Sequence, residues 1–538
     1  MKLSLSSIKN TAEWEKAGVV LPKFDIEAVK AETEKNPVWV HFGAGNIFRG
    51  FIAQIQQQLL DAGKQKAGIV AAETFDFEVI DKIYRPFDNL TLLVEMHPDG
   101  TLDKSVIASI TDGVKADCTD AEQYGKLKAI FRNPSLQMIS FTITEKGYSL
   151  TGLDGNFSRL ALADIEAGPS APHHAMSVVA AMLYERFQAG RYPLAVVSMD
   201  NCSHNGEKLK AGVVTMAKEW CKRGFVGEDF IEYIDGEKEV TFPWSMIDRI
   251  TPRPADSVQK DLEALGFEDM APVITSKHTY IAPFVNAEVP HYLVIEDRFP
   301  NGRPQLDEAS GIFLTDRDTV NQSERMKVTT CLNPLHTALA VYGCLLGYDT
   351  IASEMKDAEL PKLVSRLGYD EGMPVVTDPK ILSPMDFIHE VLDERLPNPY
   401  IPDTPQRIAT DTSQKVGIRY GETIKAYAAD PDRDPATLTC IPLAIAGWCR
   451  YLLGVNDKGE KMEVSPDPMI AQLQDYLKDV VVGQPETAAG ALKPILSNAE
   501  IFGVDLYSVG LGEKVEKMFT EEIAGPGAIR STLKNYLD

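Results

Sequence analysis

The sequence predicts an α/β domain followed by a mostly α-helical one, and three observations carry that reading. A short apolar run, Val38 to Phe42, meets the glycine turn Gly43-Ala44-Gly45 and is followed by Ile47, Phe51, Ile55 and Leu59 at helical spacing. Strand-like and helix-like runs then alternate to about residue 300, the pattern of a parallel sheet covered by helices. Beyond about residue 320 strand-like runs become scarce and helical periodicity dominates. The expected organisation is a Rossmann-like dinucleotide-binding domain with an N-terminal extension over 1–318 and a helical substrate or catalytic domain over 319–538.

The elements follow in order. Residues 1–36 are polar and mixed, which predicts an extension with one short helix. The run at 38–42 is a strand, 46–62 a helix, and 69–72 a second strand closing at Glu73, together one βαβ unit. The segment 90–110 predicts a hairpin turning at Pro98-Asp99-Gly100. A strand at 136–143 runs into Thr144-Glu145-Lys146-Gly147-Tyr148, 174–189 is helical, and the strand 194–198 leads into Met199-Asp200-Asn201. A helix over 205–222 follows, and 292–299 is the last expected strand, ahead of the connector Pro300-Asn301-Gly302-Arg303-Pro304. Helices are expected over 337–347, 384–396, 437–453, 468–481 and 512–537.

The formal net charge of −24 over 538 residues argues against nucleic acid and anionic membranes as partners, since both select clustered Lys and Arg. It also means that an anionic substrate needs a local cationic pocket. The seven cysteines are widely spaced with no C-x-x-C, a reduced, cytoplasmic pattern rather than a disulfide framework or a zinc site. No apolar run is long enough to span a bilayer. His173-His174 resembles a metal pair, but adjacent residues diverge on a helix, so no metal is expected.

Gly43-Ala44-Gly45-Asn46-Ile47-Phe48 reads G-x-G-x-x-F. The first two glycines allow a tight turn and close approach of a pyrophosphate, which the helix N-terminus at Asn46 and Ile47 receives. Phe48 stands where a third glycine is usual, implying a looser helix–sheet contact or a packing role. Glu73 is placed to accept the ribose hydroxyls, which favours NAD over NADP; Asp76 is the rival position. Arg49 either reaches a phosphate or lies on the surface. Glu145 ends another strand at the same edge.

The segment Glu324 to His336 reads E-x2-K-x5-N-x2-H. An amine, an amide and an imidazole can hold a carbonyl or alcohol oxygen and move its proton, which hydride transfer requires. Lys327 suits the acid/base role if its pKa falls from about 10.4 toward roughly 7–8, through desolvation or a nearby positive nicotinamide. Glu324 then serves a proton path. Asn333 can donate to the developing alkoxide, and His336 can bind the same oxygen or orient Lys327. On one straight helix Lys327 and His336 would face opposite ways. Pro334 resolves this by a kink or by a fresh helix starting near Asn333. Asn201, at a strand end, is a second candidate donor.

Together these residues resemble the mannitol dehydrogenase family of polyol-specific long-chain dehydrogenases, over about residue 37 to beyond 450. The blocks that carry the resemblance are His41 to Ile47, Thr144-Glu145-Lys146-Gly147-Tyr148, Ser198-Met199-Asp200-Asn201, Asp248-Arg249-Ile250-Thr251-Pro252, and Lys327 with Asn333 and His336. The resemblance implies a lysine acid/base at Lys327, alkoxide donors at Asn201 and Asn333, substrate contact at His336, a proton gate at Glu324 and a substrate-binding arginine at Arg395. It implies no metal. Met199 and Pro334-Leu335 depart from the family pattern. The substrate implied is a ketohexuronate such as fructuronate, reduced by NADH to mannonate, with Arg395 and Lys415 as the cationic pocket. A neutral polyol is the alternative, and a non-catalytic NAD-binding sensor is the reading from another class. The oligomeric state stays open.

Overall fold

Six short runs from the first half of the chain assemble into one parallel sheet in the computed structural model, which describes residues 1–152 and 154–538. They are β1 (Trp39–Phe42), β2 (Ile69–Glu73), β3 (Ile110–Lys115), β4 (Met138–Phe141), β5 (Leu194–Ser198) and β6 (Val240–Thr241), in the order β3-β2-β1-β4-β5-β6. The order reverses between β1 and β4, and ligands of open α/β sheets bind at such a reversal, beyond the carboxyl ends of the strands. Side chains alternate between two cores: Val40, Phe42, Ile139 and Phe141 enter one, and Trp39, Ala71, Met138 and Val197 enter the other. A sheet buried on both faces needs the continuous apolar runs that the sequence shows.

The chain divides into two compact units, Met1–Asn321 and Gln322–Asp538. In the first, Thr91–Met96 and Leu102–Ile107 form the expected antiparallel hairpin, which pairs further with Val19–Val20 and Phe284–Glu288. The N-terminal extension holds two α-helices, Thr11–Lys16 and Ile26–Lys35, rather than one. β3 was hidden because the hairpin reading absorbed its first residue. The strand Tyr292–Glu296 is not the last, since Ile312–Thr315 pairs with it in parallel.

In the second unit the helix Asn333–Leu346 is buried along most of its length, and every residue of the helix Cys440–Tyr451 is buried. The Tyr342 hydroxyl lies 2.7 Å from both the Leu443 carbonyl and Glu522 Oε1. A Cβ at Gly447 would stand 2.5 Å from the Tyr342 ring, so a glycine is needed for this packing. The single helix expected over 512–537 is two, Gly512–Glu522 and Ala528–Leu537, separated at Gly525-Pro526-Gly527, where both glycines have positive φ. Proline removes an N–H, and the glycines take backbone angles that other residues resist.

Candidate active site

The glycine turn is held from several sides. Gly43 has φ +101°, its N–H donates to the Ala72 carbonyl at 2.9 Å, and a Cβ there would lie 2.3 Å from the Thr142 carbonyl oxygen. Gly45 is the opposite case, because a Cβ there would meet nothing within 4 Å. That open side fits a pyrophosphate, and the helical run from residue 46 points its free N–H groups toward it. The Tyr84 hydroxyl donates to the Ala44 carbonyl at 3.0 Å.

Glu73 does something the sequence did not suggest. Its Oε2 accepts the Ala44 N–H at 2.9 Å, and its Oε1 accepts those of Thr74, Phe75 and Asp76 at 3.0, 2.8 and 3.2 Å. It is buried, and burial pushes its carboxyl above the usual range against the pull of those four donors. Glu73 therefore braces the turn, and a ribose would share its remaining acceptor capacity. Asp76 is also buried, with Oδ2 accepting the Thr275 hydroxyl at 2.5 Å.

Two readings at this turn are sharpened. Phe48 is fully buried and stacked on His41, with ring centroids 4.1 Å apart, so of the two roles expected its side chain takes the packing one. The helix accommodates it by a widened π-type turn over Phe48–Ile52. The close contact usually given to a third glycine falls to Gly50, whose Cβ would lie 2.6 Å from Val285. Arg49 is neither a phosphate ligand nor a surface group. It is buried, donating to the Ala282 carbonyl at 2.9 Å and to Asn46 Oδ1 at 3.0 Å, and burial pulls its guanidinium down to about 10.

At the carboxyl ends of β4 and β5, Asp200 accepts the N–H groups of Ile143 and Thr144, both at 2.9 Å, and the Tyr148 hydroxyl at 2.5 Å. Those bonds hold Thr144 at φ +67°, a conformation costly for a β-branched residue. Asn205, buried at the start of the helix Asn205–Lys222, donates to the Asp200 and Ser245 carbonyls at 3.0 and 2.9 Å. Asn201 is left exposed on this fixed turn. Glu145 is also exposed and pairs with Lys208 at 2.6 Å.

In the second unit the chain breaks where the reacting residues lie. The helix Arg317–Met326 gives way to a widened turn over Lys327–Cys331, Leu332 leaves helical geometry at φ −131° and ψ −63°, and a fresh helix runs over Asn333–Leu346 with Pro334 in its first turn. Lys327 and His336 therefore do not lie on one straight helix. Lys327 is 2 % exposed, which excludes a solvated surface lysine. Glu324 lies one turn ahead and is partly exposed. His336 Nε2 lies 3.0 Å from Asp403 Oδ2. Asp403 is buried and also accepts Arg407 on Oδ1. Burial raises its carboxyl, but His336 and Arg407 together hold it below the usual range. Asp403 was missed because nothing in the sequence links it to His336 across more than sixty residues. Arg395 ends another widened turn, Val391–Arg395, and is buried with its guanidinium over the Phe387 ring, so it is not a surface group. Single π-type turns inside helices recur at functional sites.

His174 caps the helix Ala175–Gly190 by accepting the Met176 N–H, and His173 lies 3.2 Å from Asp164 and 3.7 Å from Cys118. Among the described residues no group of three such side chains is arranged to hold a metal ion. No helix among them is long and apolar enough to cross a membrane.

A doubly wound sheet with a glycine turn at its switch point, joined to a helical unit carrying a buried lysine, an asparagine and a histidine, defines a nucleotide-dependent dehydrogenase. Comparison with known proteins gives the family. Residues 38–308 match the mannitol dehydrogenase Rossmann domain and residues 319–522 the mannitol dehydrogenase C-terminal domain. The chain belongs to the mannitol dehydrogenase family. It is 55% identical over 538 residues to D-mannonate oxidoreductase of Thermotoga maritima, covering 100% of this chain and 99% of that protein. It is 29% identical over 467 residues to a polyol:NADP oxidoreductase of Gluconobacter oxydans, covering 86% and 88%. Among solved structures, mannitol 2-dehydrogenase of Pseudomonas fluorescens in a ternary complex with NAD and D-mannitol aligns with a TM-score of 0.71 at 25% identity over 99% of both chains.

Proposed function

We propose that this chain reduces a ketohexuronate, fructuronate to D-mannonate, using NADH, with Lys327 as the acid/base. The observation that carries the substrate is the 55% identity along the whole chain to a D-mannonate oxidoreductase, against 28–29% to polyol and mannitol dehydrogenases. The open side of Gly45 and the start of the following helix would hold the pyrophosphate, and Glu73 would share an acceptor with the ribose. Bound there, the cofactor supplies the hydride.

The residues of this chain manage the oxygen and its proton. Asn333 donates its amide to the substrate carbonyl, where negative charge develops as hydride arrives. The Lys327 ammonium transfers a proton to that oxygen, completing the alcohol, and the amine is reprotonated by way of Glu324. His336 holds a substrate hydroxyl while Asp403 fixes its ring. Arg395 binds a further substrate oxygen. Asn201 is assigned as a second donor to the alkoxide from its place in Ser198-Met199-Asp200-Asn201.

The test is NADH oxidation by the purified protein with fructuronate, tagaturonate, fructose and fructose 6-phosphate. The highest kcat/KM should fall on fructuronate. A preference for fructose would overturn the hexuronate assignment in favour of a neutral polyol enzyme, and no turnover with any of the four would favour a non-catalytic NAD sensor.

A further inference from the structure

Most buried arginines of this chain have all the partners they need. Arg186 donates to five backbone carbonyls, those of Tyr192, Phe131, Asn133, Leu136 and Pro193. Arg249 reaches the Glu95 carboxylate and the Glu288 and Gly50 carbonyls. Arg450 is held by the carbonyls of Glu522, Val455 and Asn456.

Arg419 is different. It lies partly buried in the middle of a widened turn, Gly417–Gly421, like those that carry Lys327 and Arg395. Its Nη1 donates to the Thr337 hydroxyl, a neutral group, and no carboxylate stands within ion-pair distance of it among the described residues. A guanidinium has five N–H donors. Arg419 is only partly buried and none of its nitrogens is sealed from solvent without a partner, so the unused donors reach solvent.

Its position is fixed close to the reacting residues. The Thr337 hydroxyl that receives Arg419 itself donates to the Asn333 carbonyl at 3.0 Å. The neighbouring Tyr420 hydroxyl donates to the Pro334 carbonyl at 3.0 Å, and Thr423 reaches the Thr329 carbonyl at 3.4 Å. The turn therefore runs along Thr329 to Thr337, the segment that holds Asn333 and His336. A second cation, Lys415, is half-buried beside it, its amine donating to the Thr410 carbonyl at 2.5 Å. Burial lowers the Lys415 amine and the Arg419 charge lowers it further, while burial brings Arg419 itself down to about 10. The two cations stand together in a chain of net charge −24; Asp411 and Asp467 lie near enough to act on Lys415, no carboxylate acts on Arg419, and Asp403 is already taken by His336 and Arg407.

We propose that Arg419 is the anchor for the substrate carboxylate, with Lys415 reinforcing its field, and that this pair sets the preference for hexuronates over neutral ketoses. The proposal rests on the ketohexuronate reading above and adds the residue that reads the acid group. A planar guanidinium matches a carboxylate by two parallel N–H···O bonds, a geometry that an ammonium cannot reproduce.

The test compares kcat/KM for fructuronate and fructose in the wild type, Arg419→Gln and Arg419→Lys, with unfolding curves and NADH binding as controls. In Arg419→Gln the ratio of fructuronate to fructose should fall about 100-fold, mainly through KM for the uronate. In Arg419→Lys it should fall about tenfold, since the charge remains but the second bond is lost. Equal losses on both substrates would make Arg419 a brace for Thr337 and overturn the anchor. If Arg419→Gln does not fold, the lysine variant decides, and an unaltered ratio there overturns it. A wild type that prefers fructose would instead overturn the hexuronate reading itself.

Discussion

Glu73 at the nucleotide turn and two glutamates of the helical unit are buried in opposite ways. Glu73 has both oxygens committed to four backbone N–H groups. In the helical unit, Glu522 is fully buried with one oxygen near Tyr342 and the other without a hydrogen-bond partner, and Glu354 is buried with neither oxygen bonded. Burial pushes Glu522 up to about 8 and Glu354 up to about 10. A charge satisfied by backbone holds its shape with or without a ligand. An acid buried without enough donors is kept neutral instead, so its energetic effect depends on pH.

A large effect that sharpens this contrast within the ordinary pH range lies at Glu522. Below about pH 4.5, the ordinary value for a glutamate, its carboxyl is protonated in both the folded and unfolded chain and contributes no pH dependence. Between that pH and about 8 only the unfolded chain ionises it, so stability falls as pH rises and then levels off above the folded value. The full penalty is on the order of 5 kcal/mol. Glu522→Gln should therefore stabilise the protein by an amount that grows from pH 5 to pH 8 in denaturant unfolding. A gain of constant size across that range would break the comparison.

Next is the turn. Gly43→Ala places a Cβ against the Thr142 carbonyl at a backbone angle that alanine resists, and should cost about 3 kcal/mol. NADH binding followed by fluorescence should weaken with it, whereas Gly45→Ala, with nothing in the way of its Cβ, should fold normally and show only the binding defect. Equal stability losses in the two variants would contradict the division of labour between these glycines. The smallest effect is expected at Asp403. Asp403→Asn leaves His336 without its carboxylate and should lower kcat/KM roughly tenfold, with a displaced pH profile. A loss without any change in the profile would mean that Asp403 only packs.

How much of this was legible in the sequence follows the range of the interactions. Local signals located the glycine turn, the βαβ unit, the hairpin and the break at Pro334, because a strand period, a positive-φ glycine or a missing N–H acts within a few residues. The family blocks brought Lys327, Asn333, His336 and Arg395 forward. What stayed hidden was set by distant partners. The bracing role of Glu73 stayed hidden because its bond to Ala44 spans the turn, and the burial of Arg49, read as a phosphate contact or a surface group, because its acceptor is Ala282. Asp403 and Arg419 carried no local pattern, and only folding set them beside His336 and Thr337. The widened turns at Phe48–Ile52 and Lys327–Cys331 were equally invisible, since a π-type turn inside a helix has no spacing signature of its own.

The central claim is that Lys327 moves the proton, and its removal tests this most directly. Lys327→Ala, measured by NADH binding and by steady-state turnover of fructuronate, should bind the cofactor nearly as the wild type does and lose roughly 10³-fold or more in kcat. A variant that turns over at close to the wild-type rate would contradict the account.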